Sequence, residues 1–165
     1  MKYLKEELRF ILDHIAIVIL AAFIGATGGV LVWINGGSTW YLIRTGCGAV
    51  PQMSIVFSVW VITYGLMGAA MALIWLIYRE QRCDFGRTFT CFSLCALSYL
   101  FMLVWYALFF CTRLVVFAGI ILILSCVTDG LLFWFMRKTL VTFQAVMAVA
   151  VVIQAYFIWF TFCFF

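Results

Sequence analysis

Two aromatic pairs at helical spacing are the first residues in this chain whose types could bind a ligand. Trp60 is followed four residues later by Tyr64, and Tyr156 is followed three residues later by Trp159. Residues three or four apart share one face of a helix, so each pair would present two rings side by side. Flat aromatic walls with an indole N–H and a phenol O–H suit a flat, largely apolar ligand that has a polar edge.

Two polar side chains, Asp129 and Gln154, stand inside long apolar runs. An acid within a membrane is costly and is therefore a candidate for function, such as proton coupling in a carrier. The alternative is structural: Asp129 could reach water or pair with Thr128 or Ser125, and Gln154 could bridge two helices. Gln154 lies nearly midway along its run and is the better placed of the two to face a cavity.

The cysteines form no recognisable redox or metal motif. None of the seven has C-x-x-C spacing, and no histidine or carboxylate lies beside Cys91 and Cys95, which could share a helix face. We therefore interpret the cysteines as small packing residues and predict no metal site. No nucleotide-binding loop or H-E-x-x-H motif is present, so the sequence predicts no required cofactor and no motif-based catalytic residues.

The composition defines the environment of these residues. Of the 165 residues, 68% are hydrophobic and only 10% are charged. A water-soluble domain of this size needs a charged exterior, so the composition predicts an integral membrane protein with the lipid bilayer as its main partner. The formal net charge of +4 comes from basic residues scattered among short loops and does not indicate nucleic-acid binding.

Five apolar runs are each long enough to cross a hydrocarbon core of about 30 Å, which takes roughly 20 residues. They cover about 10–34, 54–78, 89–110, 114–136 and 140–165, and a longer outer loop covers 35–53. Lipid cannot satisfy backbone groups and the runs lack the alternation of barrel strands, so each run is predicted to be a helix. The predicted fold is all-α, a bundle of five transmembrane helices that forms a single domain over 1–165.

The basic residues are distributed unequally between the two sides of such a bundle. Arg44 and Arg113 fall on one side and the other eight fall opposite, namely Lys2, Lys5, Arg9, Arg79, Arg82, Arg87, Arg137 and Lys138. The positive-inside rule then predicts a multi-pass protein of the cell membrane with its N-terminus in the cytoplasm and its C-terminus outside.

The helical rise places three tryptophans at one depth. Trp60, Trp105 and Trp159 lie five or six residues from the outer ends of separate helices, roughly 8–9 Å below the outer surface. Trp75 and Trp134 instead fall at helix ends, where aromatic belts normally sit. Two interpretations of the deeper tryptophans remain open: an unusually deep belt facing lipid, or an inward cavity with aromatic walls that the outer loop covers.

The spacing of these aromatic residues resembles that of the TspO/MBR family, the translocator proteins or tryptophan-rich sensory proteins. The resemblance spans nearly the whole chain and rests on residues of the first loop and of the second, third and fifth helices. They are Trp40, Tyr41, Pro51, Trp60, Tyr64, Leu66, Met67, Gly68, Phe101, Trp105, Phe109, Phe110, Tyr156 and Trp159. The chain departs from the family pattern at Gln52, Met102 and Ala155, where the family has proline, asparagine and proline.

The resemblance implies an outward-side pocket for porphyrins and related tetrapyrroles, sterol-like lipids or flat aromatic drugs. The implied pocket residues are Tyr41, Trp60, Tyr64, Trp105, Tyr156 and Trp159, and our own analysis of the polar residues adds Gln154. Trp40 and Pro51 would shape the loop and the entry to the second helix, where a missing N–H costs little. Light-dependent porphyrin breakdown, with Trp60 and Trp159 implicated, is implied by the resemblance alone.

Three functions therefore remain open. The first is a ligand-binding sensor or carrier, and the second is a small transporter or substrate-capture subunit with Asp129 and Gln154 as its polar centre. The third is a membrane enzyme that acts on a porphyrin. In addition, Gly25 and Gly29 form a G-x-x-x-G pattern that permits close helix packing, either within the chain or between two copies in a homodimer.

Overall fold

The computed structural model describes residues 2–35, 53–80, 84–137 and 141–163. Within these ranges the chain forms five helices, each long and apolar enough to cross a membrane. They are α1 (Lys2–Asn35), α2 (Met53–Arg79), α3 (Phe85–Tyr106, continued by a π-helical turn at Ala107–Cys111), α4 (Val115–Met136) and α5 (Val141–Phe162). The predicted all-α membrane bundle is confirmed.

Four of the helices form a ring. α2 packs against α3 and α5, and α4 packs against the same two helices, while α1 lies outside the ring and packs chiefly against α2. This arrangement places one face of each of α2, α3, α4 and α5 in a shared core. The functional candidates on those four helices can therefore meet only if helix rotation turns them inward.

α3 begins earlier than its apolar run suggests because Asp84 caps its first turn. The Asp84 carboxylate accepts a hydrogen bond from the backbone N–H of Arg87 at 3.1 Å, which satisfies one of the donors that every helix N-terminus leaves free. At its other end α3 leads into α4 through a tight turn in which Arg113 has φ of 61°. That turn makes α3 and α4 antiparallel neighbours.

Small residues bring α1 and α2 into close contact. A Cβ atom added to Gly25 would lie 2.3 Å from the carbonyl oxygen of Tyr64, and one added to Gly68 would lie 2.2 Å from the carbonyl oxygen of Ala21. Both positions need glycine because the two backbones approach each other there. The two glycines of the G-x-x-x-G pattern, Gly25 and Gly29, thus pack against α2 of the same chain.

Candidate functional site

Aromatic rings from three helices meet in the core. We call Trp60, Tyr64, Trp105, Tyr106 and Phe157 the aromatic cluster. The Trp60 ring lies 4.7 Å from Tyr64, 5.4 Å from Trp105 and 5.1 Å from Tyr106, measured between centroids. Phe157 of α5 lies 5.0 Å from Trp105 and 6.2 Å edge-on to Trp60. All five rings are buried. The Trp60 ring thus contacts the Tyr64 and Trp105 rings in the core, as expected if these side chains point into the bundle.

Both indole N–H groups of the cluster donate to neighbouring helices. Trp60 donates from Nε1 to the carbonyl oxygen of Gly29 in α1 at 3.1 Å. Trp105 donates from Nε1 to the Thr161 hydroxyl of α5, also at 3.1 Å. These bonds fix the tilt of both rings and tie α2 to α1 and α3 to α5.

Two tyrosine hydroxyls beside the rings have no hydrogen-bond partner among the described residues. They belong to Tyr64 and Tyr156, and both oxygen atoms are buried. A buried hydroxyl without a partner loses its hydrogen bonds to water and gains none in return, which costs free energy. Each is therefore a group that a polar atom of a ligand could satisfy.

The π-helical turn at Ala107–Cys111 lies next to the cluster. It inserts an extra residue into α3, so that Phe109 and Phe110, adjacent in sequence, are both buried. Phe109 stacks on Trp105 at 5.4 Å and Phe110 lies 4.9 Å from Tyr106. Single π-helical turns occur frequently at functional sites, and this one widens the aromatic face of α3 toward the C-terminal end of the helix.

Trp159 lies apart from the other tryptophans. Its side chain is 53% exposed, and its ring contacts Tyr156 of its own helix at 5.9 Å. The inward face of α5 is instead occupied by Phe157 and Phe160, both fully buried. The rotation of α5 therefore turns Trp159 to the lipid-facing surface of the bundle, away from the aromatic cluster.

Three of the sequence-derived candidates, Trp40, Tyr41 and Pro51, lie outside the described residues. Met102, at the position where the resembling family has asparagine, is buried within the core of the cluster. It therefore offers apolar surface at that point. Trp75 and Trp134, interpreted as belt residues, are 50% and 60% exposed.

A second assembly of buried side chains lies next to the aromatic cluster. We call Ser98, Ser125, Asp129 and Gln154 the polar centre. Gln154 Nε2 lies 2.5 Å from Asp129 Oδ2, 3.0 Å from Ser125 Oγ and 3.5 Å from Ser98 Oγ, and the two serine hydroxyls are 3.1 Å apart. All four residues are fully buried. Asp129 is therefore joined to α5 and, through Gln154, to α3.

The hydrogen bonds of the polar centre are incomplete. Gln154 Nε2 carries two protons but faces three acceptors, whereas Asp129 Oδ1 and Gln154 Oε1 have no partner within the part of the chain that the structure describes. Among the described residues no Lys, Arg or His pairs with Asp129. Those residues also contain no group of three or more His, Cys, Asp or Glu side chains placed to hold a metal ion.

Sequence reasoning missed three members of these assemblies: Tyr106, Phe157 and Ser98. Phe157 could have been found, because it lies three residues after Gln154 and so shares its helix face. Ser98 could not, because α3 has two serines and either can bond to its own helix, as Ser93 does with the carbonyl oxygen of Phe89.

Comparisons with protein families, curated proteins and solved structures found no match. The functional interpretation therefore depends on the two buried assemblies and on the sequence resemblance described above.

Proposed function

We propose that this protein is a membrane receptor or carrier that binds a flat, largely apolar ligand of the tetrapyrrole or sterol class at the aromatic cluster. The observation that carries the proposal is the contact among the Trp60, Tyr64 and Trp105 rings of α2 and α3. Their spacing and helical rise predict a shared depth in the bundle, and the three rings lie together with Phe157 of α5.

The chemistry of the cluster suits such a ligand. Broad ring faces offer stacking to a planar π-system, worth about 0.5–1.5 kcal/mol per pair beyond area burial. The Tyr64 hydroxyl has no hydrogen-bond partner among the described residues. It would therefore orient a polar edge of the ligand. Binding would separate rings that contact one another in the present structure, so the ligand would replace aromatic contacts with contacts of its own.

The resemblance to the TspO/MBR family supports the same ligand class through Trp60, Tyr64 and Trp105. It supports Trp159 less directly, because that side chain is half exposed. The buried Met102 would make the pocket less polar than one containing the family's asparagine. We therefore expect a ligand with a largely apolar face toward α3.

Porphyrin titration of the purified protein in nanodiscs tests the proposal. Replacing Trp60 or Trp105 with Phe should weaken protoporphyrin binding several-fold, because indole ring area for stacking is lost. Trp75→Phe, at an exposed position on α2, is the matched control and should have little effect. The readout is the absorbance of the porphyrin itself, since the substitutions change the protein's own fluorescence.

Equal affinities for Trp60→Phe and Trp75→Phe, or no saturable binding by the unmodified protein, would contradict the proposal. The Trp60/Trp105 double variant should be non-additive, because both rings would contact one ligand.

A second candidate function is a small transporter or substrate-capture subunit organised around the polar centre. It is favoured by one specific observation, the convergence of Ser98, Asp129 and Gln154 from three helices. Asp129→Asn distinguishes the two. A ligand bound at the aromatic cluster should keep its affinity within about threefold, roughly 0.6 kcal/mol, whereas transport that depends on the polar centre should lose its response to pH.

A further inference from the structure

We propose that the polar centre is a reversible proton-binding site within the membrane, in which the Asp129 carboxyl takes up and releases one proton. The site goes beyond the proposed ligand binding and does not depend on it. It is defined by two buried oxygen atoms, Asp129 Oδ1 and Gln154 Oε1, for which the described residues supply no donor.

The negative charge of an ionised Asp129 carboxylate favours uptake of a proton. An ionised carboxylate in a water-free interior loses its hydration, and this costs several kcal/mol unless a cation or several donors replace the water. Among the described residues Asp129 has no cationic partner. Its side-chain donors are Ser98 and Gln154, and the Gln154 amide is also within hydrogen-bond distance of two serine hydroxyls. The protein thus supplies only part of what an ionised carboxylate needs.

The hydrogen-bond donors and acceptors of the Asp129–Gln154 pair also favour a proton. With Asp129 ionised, this pair has two acceptor atoms to which no described residue donates. One proton on Oδ1 removes the charge and turns one of these acceptors into a donor. The same pair then also contains an unpartnered acceptor, Gln154 Oε1, that can take such a hydrogen bond. A single proton therefore improves both the charge and the hydrogen bonding.

The side chains around Asp129 include no second carboxyl and no basic group among the described residues. From α3, Cys95 and Ser98 face Asp129, and from α5 it is Gln154. On α4 itself the neighbours are Cys126, Ser125 and Thr128. α2 contributes apolar residues to the adjoining core, such as Met67. No second carboxyl and no basic group of the described chain shares the site, so Asp129 is the group that exchanges the proton.

The site is also placed to respond to the aromatic cluster. Gln154 and Phe157 share a face of α5 and are separated by about 4.5 Å of helical rise. Any rearrangement of the rings would change how well the polar centre is screened from water.

Infrared difference spectroscopy on the full-length protein in lipid nanodiscs tests the proposal. After a pH step within about pH 4 to 9, a range that covers ordinary carboxyl titration, Asp129 should add its own carbonyl stretch of a protonated carboxylic acid to those of the other carboxyls in the chain. Asp129→Asn should remove this Asp129 band, and Gln154→Leu should shift its frequency, because the hydrogen bond to the carboxyl is lost. Glu80→Gln, at an exposed carboxyl, is the control and should leave the band in place.

If Asp129→Asn does not yield folded protein, Asp129→Glu replaces it and should move the band, since the longer carboxyl alters the bond to Gln154. A band that survives both Asp129 substitutions, or the lack of any Asp129-dependent band, overturns the proposal. Replacing choline with sodium at constant pH should leave the band unchanged. Its loss on adding sodium would show that the site takes a metal cation and would also overturn the proposal.

Discussion

The Gln154 amide is the side chain on which the polar centre depends, because it contacts each of the other three members. Removing it would break the hydrogen bond to Asp129 Oδ2, while Asp129 Oδ1 already has no partner among the described residues. In a site of low dielectric constant an incomplete network is worse than an apolar one. The stability effect should therefore depend on whether one or both partners of the pair are replaced.

We expect Gln154→Leu alone to lower the free energy of unfolding by about 1–3 kcal/mol, the penalty for a buried polar group left without its hydrogen bond. The combined Asp129→Leu and Gln154→Leu replacement should cost less than the single change, because neither side chain then remains unsatisfied. Denaturant titration of the three proteins in detergent measures this. A double variant that is less stable than Gln154→Leu would contradict the expectation.

Trp60 and Trp159 have the same predicted depth in the membrane but differ in burial. The Trp60 ring is fully buried and donates to Gly29 across the α1–α2 contact, whereas Trp159 is 53% exposed. Trp60→Phe loses packing and an interhelical hydrogen bond, whereas Trp159→Phe loses surface that faces lipid. We expect Trp60→Phe to be the more destabilising by roughly 1–2 kcal/mol. Thermal unfolding followed by size-exclusion chromatography compares them, and equal midpoints would argue against this difference in burial.

At the scale of elements, the close approach of α1 and α2 fixes a helix that lies outside the ring. Since α1 contacts the rest of the described chain chiefly through α2, its position depends on the residues at which these two helices meet. Gly68 is the tightest of these, with Ala21 O only 2.2 Å from the position of an added Cβ. That oxygen belongs to the backbone and cannot move aside without shifting the helix.

Gly68→Ala should therefore push α1 away from α2 and destabilise the protein, despite the better helix propensity of alanine. Gly130→Ala is the matched control: it is also in a helix, and an added Cβ there meets nothing within 4 Å. It should be neutral or stabilising by up to about 1 kcal/mol. Unfolding midpoints of the two variants test the α1–α2 contact, and a harmless Gly68→Ala would refute the close approach.

The π-helical turn has a comparable effect on α3. The extra residue at Ala107–Cys111 lets Trp105 and Tyr106, and then Phe109 and Phe110, all face the core. A regular helix would turn successive residues away by about 100° each. The breadth of the aromatic cluster on α3 is thus a property of the local helix geometry as well as of the residue types.

For the whole molecule, we expect an N-in, C-out orientation, because eight basic residues fall on the side of the N-terminus and two on the other. A reporter enzyme that works only outside the cytoplasm should be active when fused to the C-terminus and inactive when fused to the N-terminus. The opposite pattern would place the aromatic cluster toward the cytoplasmic side and reverse the direction from which a ligand enters.

The sequence by itself determined the five membrane-spanning helices and the depth of the aromatic residues. Hydropathy and helical rise are local quantities, and lipid leaves the backbone no alternative to internal hydrogen bonding. The run predicted over 114–136 is accordingly observed as Val115–Met136. Likewise, Trp60 and Trp105, placed at one depth from spacing, are in contact.

Only the tertiary structure decided which face of each helix turns inward. Phe157 and Phe160 are buried while Trp159 is exposed, although all three are large and aromatic. In water an apolar side chain would mark the inward face, but in a bilayer the core and the surrounding lipid are both apolar, so hydrophobicity does not distinguish them. For the same reason the partner of Asp129 emerged only from packing, as Gln154, 25 residues away on the next helix.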